Sequence, residues 1–144
     1  MAMTGIQSLD TSIHKVNEWV NQVGHELGGV EKQTAYSALC AGLHLLRDRL
    51  TVDMSAHLAA QLPVVLKGAF FEDWQPARVP QRIRHRDEYL QALDEQLPNS
   101  LKGRAPDVAK AVMHTVSTRV TRGEVEKLRQ ALPDEIRQLW PDVN

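Results

Sequence analysis

Residues 46–63 read LRDRLTVDMSAHLAAQLP, and residues 115–133 read TVSTRVTRGEVEKLRQALP. Each passes through an Arg, an aliphatic residue and a Thr into a mixed polar and apolar run, and each ends on Leu-Pro. Sliding the chain against itself by 70 residues extends this match in both directions. Residues 10–74 then align on 80–144 without a gap, with 12 identities in 65 pairs. Ile13 meets Ile83, Leu27 meets Leu97, His44 meets His114, Arg49 meets Arg119 and Leu62-Pro63 meets Leu132-Pro133. Self-similarity at one fixed offset is the mark of a repeated structural unit.

Spacing inside the unit is helical. Ile13, Val16, Val20, Val23 and Leu27 step by three and four, which places them on one helix face. Gly28-Gly29 stops that helix. Tyr36, Leu39, Leu43, Leu46 and Leu50 form the stripe of a second helix. Thr51 and Thr121 stand as N-caps of a third, and Thr121 with Glu124 spells a capping box. Pro63 and Pro133 suit the first turn of a fourth. The expected fold is therefore all-α: a tandem duplication of a four-helix unit, about eight helices, packed as one compact bundle. The expected organisation is an N-terminal tail at 1–9, helical repeat one at 10–74, a connector at 75–79 and helical repeat two at 80–144, the repeats sharing one core.

The composition bounds the function. Of the 144 residues, 42% are apolar and the formal net charge is −1. That is a globular balance, with no global attraction to nucleic acid or to an anionic membrane. No apolar run approaches the roughly 18–20 residues of a membrane helix, and the first residues lack the basic and apolar regions of a secretory signal. One cysteine, Cys40, fits a reducing compartment. These readings together predict a cytoplasmic protein.

Three segments carry a resemblance. LRDRL (46–50), AHLAAQLP (56–63) and KGAFFEDW (67–74) are similar to the pattern of the bacterial family called domain of unknown function 2267. The resemblance covers most of the chain. It implies an all-helical, tandem-repeat, cytoplasmic protein, and it implies no activity. Lys67 stands where the family pattern has Arg, Phe70-Phe71 where Tyr is common, and Met54 where an acidic residue is usual.

Comparing the two halves separates shared from private features. Ala56, Ala59, Ala60, Val64, Val65 and Gly68 stand where the second half has Glu126, Arg129, Gln130, Asp134, Glu135 and Gln138. Small and apolar residues thus replace charge over two helices. The segment 63–71 is apolar almost all round, which fits a helix buried at the centre of the molecule. It also fits an exposed patch for a protein partner or a second subunit, or the wall of an apolar pocket.

No catalytic constellation and no metal-ligating or cofactor-binding pattern stands out. Cys40 and His44 are four apart, but only the His recurs in the second half, as His114, so a packing or hydrogen-bonding role fits better than catalysis. RVPQRIRHR (78–86) concentrates four arginines and reads as a solvated helix start, because Asp87 and Glu88 follow at once. Arg47, Arg49, Val65, Phe71 and Trp74 are the candidate binding residues, since Arg and aromatic side chains dominate contact surfaces. The function expected is a non-enzymatic interaction or regulatory module that contacts a protein partner or self-associates, mainly through repeat one. The alternative is a small apolar-ligand binding protein with a cavity between the repeats.

Overall fold

The computed structural model describes residues 4–142; residues 1–3 and 143–144, the outer ends of the expected tail and second repeat, lie outside the described residues. Eight α-helices succeed one another among the described residues, with no strand. They are α1 (Gln7–Glu26), α2 (Lys32–Asp48), α3 (Val52–Ala59), α4 (Val64–Phe70), α5 (Arg86–Gln96), α6 (Ala105–Arg119), α7 (Arg122–Ala131) and α8 (Asp134–Arg137). The molecule is an all-helical bundle with a single apolar core drawn from both halves.

The local causes match the sequence. Gly28 and Gly29 both take φ of 92°, a backbone that side chains disfavour, and the Gly29 amide closes α1 on the Gly24 carbonyl at 2.9 Å. Thr51 and Thr121 accept hydrogen bonds from the amides of Met54 and Glu124, capping α3 and α7. Helix α1 starts at Gln7, inside the stretch expected as a tail. Asp10 lies in its first turn, where it complements the helix dipole, and accepts a hydrogen bond from the Thr4 hydroxyl at 2.8 Å.

The central helix is α2, which packs on α1, α4, α5 and α6. It crosses α6 at Gly42. A Cβ on Gly42 would lie 2.6 Å from Val112 Cγ2 and 2.9 Å from Val112 Cβ, so the approach requires glycine. Val112 is also the residue that Gly42 meets at the 70-residue offset. His114 pairs with Glu26 at 2.7 Å, while their counterparts His44 and Gln96 line one cleft.

Helix α4 is not central. Leu66 and Phe70 face the core, but Val64 is 61% and Val65 44% exposed. The all-round burial that fits an all-round apolar helix is therefore absent, and its outer side meets solvent. Residues 79–84 also differ from the expected helix start. The Gln81 amide bonds the Asp48 carbonyl at 2.7 Å and the Gln81 carbonyl accepts from Arg49, and α5 begins only at Arg86.

Gly42→Ala should destabilise the protein by about 1–3 kcal/mol, the overpacking strain exceeding the gain in helix propensity. Adding Val112→Ala should recover most of that loss. Chemical denaturation of the two single variants and the double variant checks this.

Candidate functional site

The candidate binding residues gather around the ends of α2 and α4, which run side by side. A helix leaves its last carbonyls without intrahelical partners, and these carry partial negative charge. Two side chains of α2 meet this need at α4. His44 donates through Nε2 to the Ala69 carbonyl at 2.7 Å. Arg47 donates through Nη1 to the carbonyls of Phe70 and Glu72, each at 2.8 Å. Its Nε and Nη2 close on Asp48 Oδ1 at 3.0 and 2.9 Å. The whole Arg47 side chain is buried, at 4% residue exposure. These contacts hold α4 onto α2, and Arg47 also lines the cleft beside it.

Beyond α4 the chain turns back. Asp73 takes φ of 60°, and the Trp74 amide bonds the Phe71 carbonyl at 3.1 Å. Three aromatic rings then stack in sequence: Phe70 on Phe71 edge-on at 5.1 Å, and Phe71 on Trp74 tilted at 4.9 Å. Phe71 and Trp74 are half-buried, and the Trp74 indole N–H is buried without a hydrogen-bond partner. Arg49 leaves in another direction. Its Nη1 donates to the Gln81 carbonyl, tying the connector to the end of α2. Burial, and then the nearby Arg84, lower its pKa. Val65 lies on the outer side of α4. Thus Arg47, Phe71 and Trp74 come together, while Arg49 and Val65 stand apart from them.

A cleft of about 460 Å³ opens beside this cluster, lined among others by His44, Asp48, Glu72, Arg78, Gln81 and Gln96. A second, of about 600 Å³, holds the counterparts of several of these, including Glu26, His114 and Asp142, with Arg104 and Lys110. Both borrow residues from the two halves; the smaller is lined mainly by polar surface, whereas Leu27, Ala111 and Pro141 make the larger one more apolar than polar. Sequence reading overlooked Gln96 and Glu26 as cleft residues. Their signal was present, since they are related by the same offset as His44 and His114.

Cys40 and His44 have separate partners. The His44 Nε2 proton goes to Ala69, and burial raises the Cys40 pKa, with Tyr36 as an opposing hydrogen-bond partner and Glu72 adding to the rise. Among the described residues, no group of three His, Cys, Asp or Glu side chains could hold a metal ion, and no helix is long and apolar enough to cross a membrane.

The geometry defines a class, an all-helical bundle whose second helix clamps the end of its fourth through an Arg and a His. Residues 16–139 match the family described as Uncharacterized conserved protein (DUF2267), and the chain belongs to that family. The segments LRDRL and KGAFFEDW are the two sides of the clamp just described. No curated protein matches the chain.

Arg47→Met should cost about 3–5 kcal/mol in denaturant unfolding, because Asp48 and two carbonyls lose their buried partner. Arg119→Met, which breaks an open pair with Glu18, should cost less than about 1 kcal/mol. Cys40 should react with a disulfide reagent at neutral pH more slowly than a free thiol, because its raised pKa leaves less thiolate. The rate should climb only above the ordinary thiol range of about 8.5.

Proposed function

We propose that this chain is a non-enzymatic interaction module of the cytoplasm, and that its first half provides the contact surface for a protein partner or a second copy. One observation carries the reading. Ala56, Ala60, Val64, Val65 and Gly68 are all exposed on α3, α4 and the turn between them, where the corresponding positions of the second half carry Glu126, Gln130, Asp134, Glu135 and Gln138. Ala59 belongs to the core instead, at 3% exposure. A fold that needs only the inner side of α4 has no structural reason to keep its outer side apolar. Exposed apolar side chains at neighbouring positions are the usual mark of a contact surface.

Phe71 and Trp74 extend the reading around the end of α4. Arg47 supports the surface from below by holding that end in place. The polar lining of the smaller cleft suits a polar guest, while the mixed lining of the larger one leaves the apolar-ligand alternative as the second reading.

Val65→Asp should leave helicity and thermal stability close to those of the parent, since a surface substitution is worth within about 0.5 kcal/mol. It should abolish the dimer or partner complex seen when the parent is purified gently and weighed by native mass spectrometry. Leu66→Asp, on the buried side, should unfold the protein. A Val65→Asp variant that unfolds, or a parent that is a bare monomer at every concentration, would overturn the proposal.

A further inference from the structure

The two clefts use their charged side chains differently. In the larger one Glu26 pairs with His114 at 2.7 Å, and Arg104 with Asp107 at 3.3 Å. In the smaller one Glu72, Asp73 and Arg78 are exposed and have no ion pair among the described residues. The offset accounts for part of this contrast. Gln96 stands where the first half has Glu26, and His44, the counterpart of His114, gives its Nε2 to the Ala69 carbonyl instead. The side-chain amides of Gln75, Gln81 and Gln96 make no hydrogen bond among the described residues either, so their donors and acceptors stay available.

The rest of the lining is fixed. Arg47 lines the cleft with a side chain that is only 5% exposed, bound to the carbonyls of Phe70 and Glu72 and to Asp48. Both of its contacts with Asp48 fall on Oδ1, which leaves Oδ2 of that carboxylate without a partner. The turn that carries Glu72 and Asp73 is held by the bond from the Trp74 amide to the Phe71 carbonyl, with Asp73 at φ of 60°. Three helices also finish here. Helix α2 ends on Asp48, α5 ends on Gln96, and α4 ends on Phe70, two residues before Glu72. A helix C-terminus carries partial negative charge and favours a cation. With Arg47 and Asp48 cancelling each other, two free carboxylates face one free guanidinium.

We propose that this cleft binds a free basic amino acid, with its ammonium and its side-chain cation at Glu72 and Asp73 and its α-carboxylate at Arg78. The balance of unpaired charge selects that guest. An acidic amino acid would set two carboxylates against a single arginine. A plain diamine would leave Arg78 unanswered, and so would a basic side chain within a polypeptide, which has no free α-carboxylate beside it. Charge-assisted pairs are the strong hydrogen bonds available to such a molecule. A cleft of about 460 Å³ falls within the usual range of about 300–1,000 Å³ for small-molecule sites. The site uses residues other than the exposed side of α4, so either proposal can fail without the other.

The test is a titration of the ¹⁵N-labelled full chain with L-arginine, followed through its amide resonances. Agmatine, which lacks the carboxylate, and L-glutamate serve as comparators. L-arginine should shift the amides of residues 72–75, 78, 81 and 96 saturably, and more weakly as NaCl rises from about 50 to about 300 mM. Glu72→Gln with Asp73→Asn should weaken it at least about fivefold. The fold should survive that change, because Arg47 holds the backbone carbonyl of Glu72 and asparagine tolerates the positive φ of residue 73. Arg78→Gln should weaken L-arginine and spare agmatine. Glu31→Gln with Glu126→Gln, both exposed and away from the cleft, should change nothing. Four results would each overturn the proposal: no saturable shift at these residues, binding indifferent to Glu72→Gln with Asp73→Asn, an Arg78→Gln variant that weakens agmatine as much as L-arginine, or L-glutamate binding as tightly as L-arginine.

Discussion

The bundle depends on one contact, the meeting of Gly42 with Val112 where α2 crosses α6. Two long helices can approach this closely only if one of them lacks a side chain at the crossing. Two valines would collide there, and two glycines would leave a void. The unequal pair removes both problems and places the two halves of the chain at one fixed distance. Leu39, Leu43, Leu46, Val108 and Val116 then close around it as a dry core. Everything outward of α2, including the seat for α4, inherits its position from that crossing.

The second constraint concerns the short helix α4. Seven residues form too few internal hydrogen bonds to hold a helix in water by themselves. Tertiary contact must supply the rest, and it comes from both ends of the amphipathic argument. Leu66 and Phe70 give burial, while His44 and Arg47 satisfy the terminal carbonyls with a polar clamp. The second half reaches the same end differently. Ser117 stands in the place of Arg47, and the Trp140 indole, in the place of Phe70, donates to its hydroxyl at 2.6 Å. There Arg137 bonds the carbonyls of Arg129 and Leu132, before α8 rather than after α4. The two halves thus place their arginine contacts differently, on the end of α4 in one and on the end of α7 in the other.

Most of the helical frame was legible in the sequence because its signals are local. Glycine pairs, threonine caps and three-four apolar spacing act over a single turn, and α1, α2, α3 and α7 follow them. The failures came where a global fact outweighed a local one. Helix α4 looks central because almost every side chain is apolar, yet burial is decided by what packs on each face, and no periodicity reveals an empty face. Arg47 looked like a surface cation, because nothing within five residues shows that two carbonyls over twenty residues ahead will need it. The segment before α5 misled for another reason: the offset aligned it with the helical first half of α1, while its Gln81 backbone is tied to the end of α2.

The comparison between halves therefore says more than either half alone. Where counterparts agree, as with His44 and His114, or Thr51 and Thr121, each has a hydrogen-bonding partner of its own. Where they differ at the surface, no shared packing requirement explains the difference. The outer side of α4 has lost charge that its counterpart keeps, and the strip before α5 has gained arginines that α1 lacks. The two differences are of opposite character, one apolar and one basic. A packing frame constrained from inside at Gly42 and Arg47 leaves both surfaces free to diverge.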